Sequence, residues 1–403
     1  MERNAYYIGE QQLSFPRPSL QISDKKVKPG SESRNMAPRL FDGLVLPASA
    51  DFHVHLRDGP MLEAVAPTVE SGGVDCIFVM PNLVPPITTV EHALSYKKAI
   101  AKHTDAKLLM SLYLHQSITP ETIREAKQAG IYGVKSYPAG VTTNSASGVV
   151  DYEQFYPVFE AMEQEDLVLN LHGEAPPGKD ITVLNAEEAF LPTLLDLHHR
   201  FPRLRIVLEH CTTAAAIEAV KKCGPNVVAT ITAHHLSIIV DDWAGDPINF
   251  CKPVAKLPSD RVALLQAATS GNPRFFLGTD SAPHPLRAKK GGVGPHECGK
   301  CAAGVFTQPY ATQYVLEAFE DAVNKGIIEK NQITKAVLEG FLGGFGRNFY
   351  RIEASGKKIR ISAGEEKVIS KLAIGSAGAD AAGDVVIPFK RDTSVYSLEW
   401  LED

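Results

Sequence analysis

The sequence is poor in cysteine, in long apolar runs and in excess basic charge. Its six cysteines, at positions 76, 211, 223, 251, 298 and 301, are too few and too scattered for a disulfide framework. A net charge of -6 and a pI near 6.1 argue against nucleic-acid partners. No stretch reaches the roughly 18 apolar residues of a membrane span. We therefore expect a cytoplasmic protein that binds neither nucleic acid nor membranes.

The beginning of the chain is polar and lacks the apolar core of a signal peptide. It holds a lysine-rich cluster at Lys25–Lys28, and the acidic Glu2 and Glu10 argue against a transit peptide. The sequence thus predicts three parts, which are a flexible extension over 1–37, a main domain over 38–350, and a C-terminal subdomain over 351–403 that packs on the main domain.

From residue 50 onward, short β-rich apolar runs alternate with longer helical stretches, a pattern typical of βα units around a parallel sheet. Eight strands are predicted, at 51–56, 76–81, 108–114, 133–137, 167–171, 205–209, 227–232 and 275–278. Helices are predicted at 90–102, 120–128, 152–164, 187–200, 214–222, 260–269, 311–325 and 332–342. Eight such units over about 230 residues match a (β/α)8 TIM barrel. A doubly wound open sheet would need a glycine-rich phosphate loop after the first strand, and none is present.

A candidate metal site begins with His53 and His55 in the first predicted strand. Residues two apart in a strand share a face, so both imidazoles can reach one cation. Alone, the pair is equally compatible with structural or surface histidines. Four more candidates lie at or near the C-terminal ends of predicted strands, where TIM barrels build active sites: Lys135, His172, His210 and Asp280. The combination predicts a metal site at the C-terminal mouth of the barrel.

Lys135 is the unusual member, because an ammonium group has no lone pair and repels a divalent cation. One interpretation is a lysine that reaches out of the barrel for solvent. The other is a neutral amine that has added CO₂, which gives a carbamate whose oxygens bridge two metals. Burial in a barrel mouth favours the neutral amine. The surrounding histidines and aspartate favour the carbamate.

These positions and the residues around them resemble the dihydroorotase family, of the single-function microbial and fungal type, within the amidohydrolase superfamily. The matching segments are DFHVHLRDG (51–59), MPNLVPP (80–86), KSYPAGVTTNS (135–145), LNLHGE (169–174), LEHCTT (208–213) and GTDSAPH (278–284). The resemblance covers roughly residues 38–350 and, more loosely, the closing segment.

The resemblance implies a binuclear zinc site with a hydroxide and carbamylated Lys135 bridging two Zn²⁺ ions. One zinc would be bound by His53, His55 and Asp280, the other by His172 and His210. The implied reaction is the reversible, zinc-dependent cyclisation of N-carbamoyl-L-aspartate to (S)-dihydroorotate with loss of water, in pyrimidine biosynthesis. Asp280 would be the catalytic residue that transfers the proton, and we expect a homodimer.

The family binds its substrate carboxylate with an arginine, an asparagine and a histidine, which are Arg57, Asn82 and His284 here. Arg57 lies two residues beyond His55, on the same predicted face, and its guanidinium offers a fork to a carboxylate. These residues discriminate against a hydantoinase or dihydropyrimidinase, which would share the metal ligands but whose substrate has no carboxylate. A non-catalytic scaffold has little reason to retain all six metal-site positions.

Further substrate contacts are implied by the resemblance. Thr142 and Thr143 match a mobile loop that closes over the bound ligand, and their Gly/Ser/Asn-rich surroundings indicate a flexible loop. Backbone contacts to the substrate ring are expected near Lys252 and Ala303.

Two other groups of possible metal ligands are not expected to bind a metal. Cys298 and Cys301 form a CxxC, but a structural zinc needs two more ligands and only His296 is nearby. His234-His235, at the end of the seventh predicted strand, are interpreted as mouth-lining or packing residues.

Overall fold

The structure is a computed structural model, and it describes residues 39–291, 301–375 and 384–402. The predicted extension over 1–37 therefore lies outside the described residues. The strands are β1 (Val45–Pro47), β2 (Ser49–Val54), β3 (Val74–Val79), β4 (Lys107–Tyr113), β5 (Gly133–Ser136), β6 (Val168–His172), β7 (Ile206–Glu209), β8 (Val227–Ile231), β9 (Phe275–Leu277), β10 (Lys358–Lys367), β11 (Leu372–Ala373), β12 (Val385–Val386) and β13 (Ser394–Leu401).

The helices lie mainly between the strands. They are α1 (Gly59–Val65), α2 (Val90–Ile100), α3 (Pro120–Gln128), α4 (Tyr156–Glu165), α5 (Ala186–Arg200), α6 (Ala214–Lys222), α7 (Val240–Ala244), α8 (Pro258–Ala268), α9 (Leu286–Lys289), α10 (Ala311–Asn324), α11 (Lys335–Glu339) and α12 (Phe345–Tyr350). In the described part of the chain, no helix is both long and apolar enough to cross a membrane.

Within the described residues, β2 to β9 form one eight-stranded parallel sheet in chain order. The two ends of this sheet meet where Val54 bridges Ser281 and the His55 amide donates to the Ser281 carbonyl at 2.9 Å. Asp51 reinforces the closure, because its carboxylate accepts from the amide and the hydroxyl of Thr279 at 2.7 and 2.6 Å. The predicted (β/α)8 barrel is confirmed, and each strand begins within two residues of its predicted start.

The interior of the barrel is apolar at one end and polar at the other. Phe52 stacks on Tyr350 of α12, with ring centroids 5.1 Å apart, and meets Phe276 edge to face at 5.2 Å. Along β6 the residues of one face run from Val168 to Asn170 and His172, because alternate residues of a strand point the same way. Apolar side chains thus fill one end of the barrel, and polar side chains lie at the other end, where the strands have their C-terminal ends.

Two predicted helices differ from the structure by more than two residues at an end. Over 152–164 the α-helix begins only at Tyr156, because Pro157 fits the first turn of a helix and a 3₁₀ turn precedes it. Over 332–342 the α-helix ends at Glu339 and continues as a π-helical turn, Gly340–Gly344. A Cβ at Gly340 would lie 2.2 Å from the Phe345 ring, so only glycine fits there.

A separate three-stranded antiparallel sheet, ordered β1-β10-β13, was absent from the predicted strands. Its middle strand, β10, pairs with β1 through Val45 and Arg360, and with β13 through Ile359 and Trp400. The C-terminal segment is thereby joined by backbone hydrogen bonds to the strand that precedes the barrel. Of the apolar run at 385–389, only Val385–Val386 forms a strand.

Candidate active site

The six predicted metal-site residues meet at the C-terminal end of the barrel. The His210 ring centroid lies 5.0 Å from that of His53 and 4.7 Å from that of His172, and the rings of His53 and His55 are 5.4 Å apart. All of them except Lys135 line one cavity. Its lining includes every predicted site residue except Lys135 and His284, and it adds Tyr137 and Ala282.

Three of the site residues have left-handed backbone conformations just beyond the strands. The φ angles are 63° at Arg57, 43° at His210 and 49° at Asp280. Such angles are uncommon for residues with a side chain and cluster at functional sites. At His210 the bend breaks the alternation of side chains, so Glu209 and His210 both face His53.

His53 is oriented by a buried carboxylate that the sequence did not single out. Its Nδ1 lies 2.8 Å from Oε2 of Glu209. The same oxygen accepts from the Thr230 hydroxyl at 2.6 Å, and Oε1 of Glu209 accepts from Nδ2 of Asn170 at 2.6 Å. Burial raises the pKa of Glu209, but the charge and hydrogen bond of His53 outweigh burial and hold the pKa below its usual range. The ionised Glu209 therefore accepts a hydrogen bond from Nδ1–H of His53, which leaves Nε2 of His53 with a lone pair.

His55 is oriented by an amide. Its Nδ1 donates to Oδ1 of Asn82 at 2.8 Å, and Nδ2 of Asn82 donates to the Thr143 carbonyl at 3.2 Å, which fixes the orientation of the amide. Burial lowers the pKa of His55 to about 4, so the ring is neutral at pH 7 and Nε2 carries a lone pair. Asn82 was predicted to bind substrate; it lines the cavity, and its amide is engaged by these two protein groups.

These lone pairs converge on one carboxylate oxygen. Oδ1 of Asp280 lies 3.1 Å from Nε2 of His55 and 3.4 Å from Nε2 of His53. The three ligand atoms lie within 4.8 Å of one another. Burial raises the pKa of Asp280, but the neighbouring His53 and His55 lower it below the usual range. Acceptors that face a carboxylate at this distance repel one another, so the arrangement fits a bound cation.

His172 and His210 offer a second set of nitrogen ligands. Nε2 of His172 lies 2.8 Å from Oε2 of Glu174, so the carboxylate orients the ring and Nδ1 keeps its lone pair. Nδ1 of His210 is buried without a hydrogen-bond partner among the described residues. Burial lowers the pKa of both histidines, which keeps them neutral and able to bind a metal.

Lys135 lies among these groups with its side chain 0% exposed. Its Nζ has no hydrogen-bond partner in the described part of the chain, and it lies 5.2 Å from the ring centroid of Tyr137. Burial lowers the pKa of Lys135 to about 8, although Glu209 and Asp280 act in the opposite direction. A buried amine without a hydrogen-bond partner destabilises the fold. The position of Lys135 therefore fits the carbamate interpretation rather than that of a lysine reaching for solvent.

Arg57 and His284 form a polar corner beside the metal ligands. Nε of Arg57 donates to the Pro283 carbonyl at 2.9 Å, and its Nη2 lies 3.1 Å from Nε2 of His284. Nε2 of His284 is also 2.9 Å from the Ala303 carbonyl. The prediction that Arg57 shares a strand face with His55 was wrong. Strand β2 ends at Val54, and Arg57 reaches the cavity from a left-handed turn.

The loop that carries Thr142 and Thr143 lies over the cavity. Oγ1 of Thr143 donates to the Ala303 carbonyl at 3.4 Å, and Nδ2 of Asn144 donates to the Asn82 carbonyl at 2.8 Å. Nζ of Lys252 donates to the Val141 carbonyl at 2.7 Å. The loop is thus held to three different parts of the cavity wall.

The remaining candidates lie outside this set of ligands. His234, His235 and Cys251 are buried together, with their ligand atoms within 4.8 Å. His235 is already hydrogen-bonded on both sides, to the Thr232 hydroxyl at 2.9 Å and the Pro253 carbonyl at 3.1 Å. Cys298 lies outside the described residues, and the Cys301 thiol lies 3.5 Å from the Pro247 and Ala302 carbonyls.

Comparison with known proteins assigns this architecture. Residues 44–323 match the family model described as "Amidohydrolase family". The probable dihydroorotase of Schizosaccharomyces pombe is 56% identical over 320 residues, 79% of this chain and 90% of that one. The dihydroorotase of Saccharomyces cerevisiae is 46% identical over 373 residues, 87% of this chain and 97% of that one. The crystal structure of the S. cerevisiae dihydroorotase in complex with 5-fluoroorotic acid has a TM-score of 0.80 at 44% identity, covering 90% of this chain and 100% of that one.

The barrel and its cluster of histidines, aspartate and buried lysine thus define an amidohydrolase, a hydrolase that acts on cyclic amides. With relatives this similar over most of their length, the chain belongs to the dihydroorotase family.

Proposed function

We propose that this chain interconverts N-carbamoyl-L-aspartate and (S)-dihydroorotate in pyrimidine biosynthesis. The proposal rests above all on one juxtaposition, the Arg57 guanidinium beside a cluster of uncompensated metal-ligand atoms in one cavity. A guanidinium recognises a carboxylate, and a metal cluster of this type hydrolyses amides. The substrate of a dihydroorotase has both groups.

The proposed cofactor is a pair of Zn²⁺ ions. His53, His55 and Asp280 would hold one ion, and His172 and His210 the other, with carbamylated Lys135 between them. Carbamylation joins the neutral Lys135 amine to the carbon of CO₂ and releases one proton. Burial lowers the pKa of this amine to about 8, which raises the fraction of the neutral, reactive form near neutral pH.

The chemistry follows from the positions of the protein groups. Bound zinc would supply a Lewis acid for the ring carbonyl and lower the pKa of the attacking water. Asp280 accepts the proton of that water and delivers it to the leaving ring nitrogen, first as a base and then as an acid. In the biosynthetic direction Asp280 would take the proton from the ureido nitrogen, which attacks the carboxyl carbon and closes the ring. Asp280 would then return this proton to the departing hydroxyl oxygen, which leaves as water.

Binding of the substrate is assigned to the side of the cavity that Arg57 lines. Arg57 has N–H groups beyond those used by Pro283 and His284, and these are the groups proposed to bind the substrate carboxylate. Asn82 would add its amide by exchanging a hydrogen bond with Thr143 for one with the ligand. Thr142 and Thr143 would close over the ligand, and the backbone at Lys252 and Ala303 would contact its ring.

A substrate panel tests the proposal directly. Purified protein with zinc should hydrolyse dihydroorotate at least about 10³-fold more efficiently than dihydrouracil or hydantoin, because only dihydroorotate offers a carboxylate to Arg57. Ring opening can be followed by the loss of ultraviolet absorbance at pH 8. Preference for hydantoin or dihydrouracil would instead assign a hydantoinase-type activity.

Replacement of the guanidinium is a second test. Arg57→Met should raise the KM for dihydroorotate by about 100-fold or more, since it removes a charge-assisted hydrogen bond from a buried site. The zinc content should stay unchanged, because Arg57 is not a proposed ligand. Arg124→Met, at an exposed arginine on α3, is the matched control. An unchanged KM for Arg57→Met would remove Arg57 from the carboxylate site.

Assembly and location are also proposed. We infer a homodimer, which sedimentation analysis of the full chain would test by a mass of twice 43.7 kDa. The proposed cytoplasmic location can be tested by fractionation of cells that express the tagged chain.

A further inference from the structure

Lys289 is a buried lysine close to the cavity, outside the proposed metal and substrate ligands. It ends the short helix α9, a few residues after His284, and is 4% exposed. Its Nζ donates to the carbonyls of Phe250 at 2.7 Å, Ala302 at 2.9 Å and Gly304 at 2.7 Å. All three ammonium hydrogens are therefore used, and all three acceptors are backbone oxygens.

The environment of Lys289 makes a lysine costly. Among the described residues no carboxylate lies within ion-pair distance of Nζ, and burial lowers its pKa to about 8. A buried charge destabilises a fold unless hydrogen bonds compensate it, and an apolar side chain of similar length would fill the same space without that cost. The lysine therefore needs an explanation beyond packing.

The three carbonyls belong to two segments that lie outside strands and helices. The Gly304 amide donates to the Phe250 carbonyl at 3.0 Å, so the segments 250–252 and 302–304 already touch. Gly304 has a φ of 155°, and a Cβ there would lie 2.4 Å from the Ala282 carbonyl. The ammonium of Lys289 thus fastens together two irregular, closely packed segments whose carbonyls no β-ladder satisfies.

These segments carry the backbone that faces the proposed substrate. Lys252 and Ala303 both line the cavity. The Ala303 carbonyl lies 2.9 Å from Nε2 of His284 and accepts from Thr143 at 3.4 Å. A shift of the 302–304 segment would therefore displace the ring-binding backbone, the carboxylate corner and the loop contact together.

We propose that Lys289 is a positioning residue for substrate binding, whose ammonium holds the 250–252 and 302–304 segments so that the backbone at Lys252 and Ala303 meets the substrate ring. This inference rests on the proposed function. It assigns Lys289 to binding rather than to the chemical step, since Nζ contacts backbone and none of the metal ligands.

The test compares Lys289→Met, Lys289→Gln and Lys289→Arg with the control Lys290→Met, an exposed lysine next in the chain. Lys289→Met should raise the KM for dihydroorotate and the Kd for 5-fluoroorotic acid by roughly tenfold or more, with a much smaller change in kcat and unchanged zinc content. Lys289→Arg keeps the charge and several donors, so it should recover part of the affinity. Lys290→Met should behave as the parent chain.

Several outcomes would overturn the inference. One is a folded Lys289→Met, or Lys289→Gln if the methionine variant does not fold, with unchanged KM and Kd. Another is an equal loss of affinity in Lys289→Arg, which would mean that the charge and donors are irrelevant. An inactive parent chain would contradict the proposed function itself. An active parent chain whose Lys289 variants keep the parent KM and Kd would contradict only the role of Lys289.

Discussion

Lys135→Ala is expected to lose both its bound zinc and its activity, with kcat/KM falling by at least about 10⁴-fold. The lysine is the one residue that would contact both metals, and its Nζ has no other partner among the described residues. Without the carbamate, the histidine nitrogens and Asp280 remain as incomplete ligand sets. Zinc per chain by mass spectrometry of the metal, together with turnover of dihydroorotate, checks the prediction.

Two further measurements separate this effect from simple unfolding. Lys107→Ala removes an exposed lysine at the start of the neighbouring strand β4 and should keep zinc and activity. With ¹³C-labelled bicarbonate, the parent chain should show a carbamate carbon resonance that is absent from Lys135→Ala. If folded Lys135→Ala retained two tightly bound zinc ions, the carbamate bridge would be wrong.

The barrel could be predicted from the sequence because its strands are short apolar runs of regular spacing. Strands buried on both faces, such as β3 and β9, are apolar almost throughout, and the intervening helices carry N-terminal caps such as Thr89 and Thr119. The sheet of β1, β10 and β13 escaped prediction. Its first strand, β1, lies about 300 residues before β10 in the chain, and this pairing depends on contacts that no local pattern encodes.

The sequence predicted those site residues that lie at the C-terminal ends of strands. His172 and His210 lie where their positions in the chain indicated. Glu209 and Glu174 were missed, although each lies within two residues of a predicted ligand. In a regular strand Glu209 would point away from His210, and only the left-handed turn at His210 brings both to the same side.

The contacts of Asn82 add a second role to the predicted one. Asn82 is proposed to bind the substrate carboxylate, and in the structure it also orients His55 and holds the Thr143 carbonyl. One amide therefore links a proposed metal ligand to the loop over the cavity. The position of this loop and the orientation of the His55 ring therefore depend on each other.

The second large effect is expected at Asp280. Asp280→Asn keeps the shape of the side chain and one oxygen that can face the metal, but it removes the group that accepts the proton. We expect kcat to fall by about 10³-fold or more, the upper part of the range for general acid–base catalysis. The Kd for 5-fluoroorotic acid should change less than about tenfold, because Arg57 and His284 are untouched.

The proposed role of Asp280 as proton acceptor requires that its carboxylate be ionised. The neighbouring histidines hold this pKa below its usual range, so the carboxylate is ionised across the neutral pH range and ready to accept a proton. An asparagine cannot do so at any pH, and raising the pH should therefore not restore the rate of Asp280→Asn. Asp105→Asn, at an exposed aspartate, is the control and should leave kcat unchanged. A kcat for Asp280→Asn within tenfold of the parent value, with zinc bound, would assign the proton transfer to another group of the cavity.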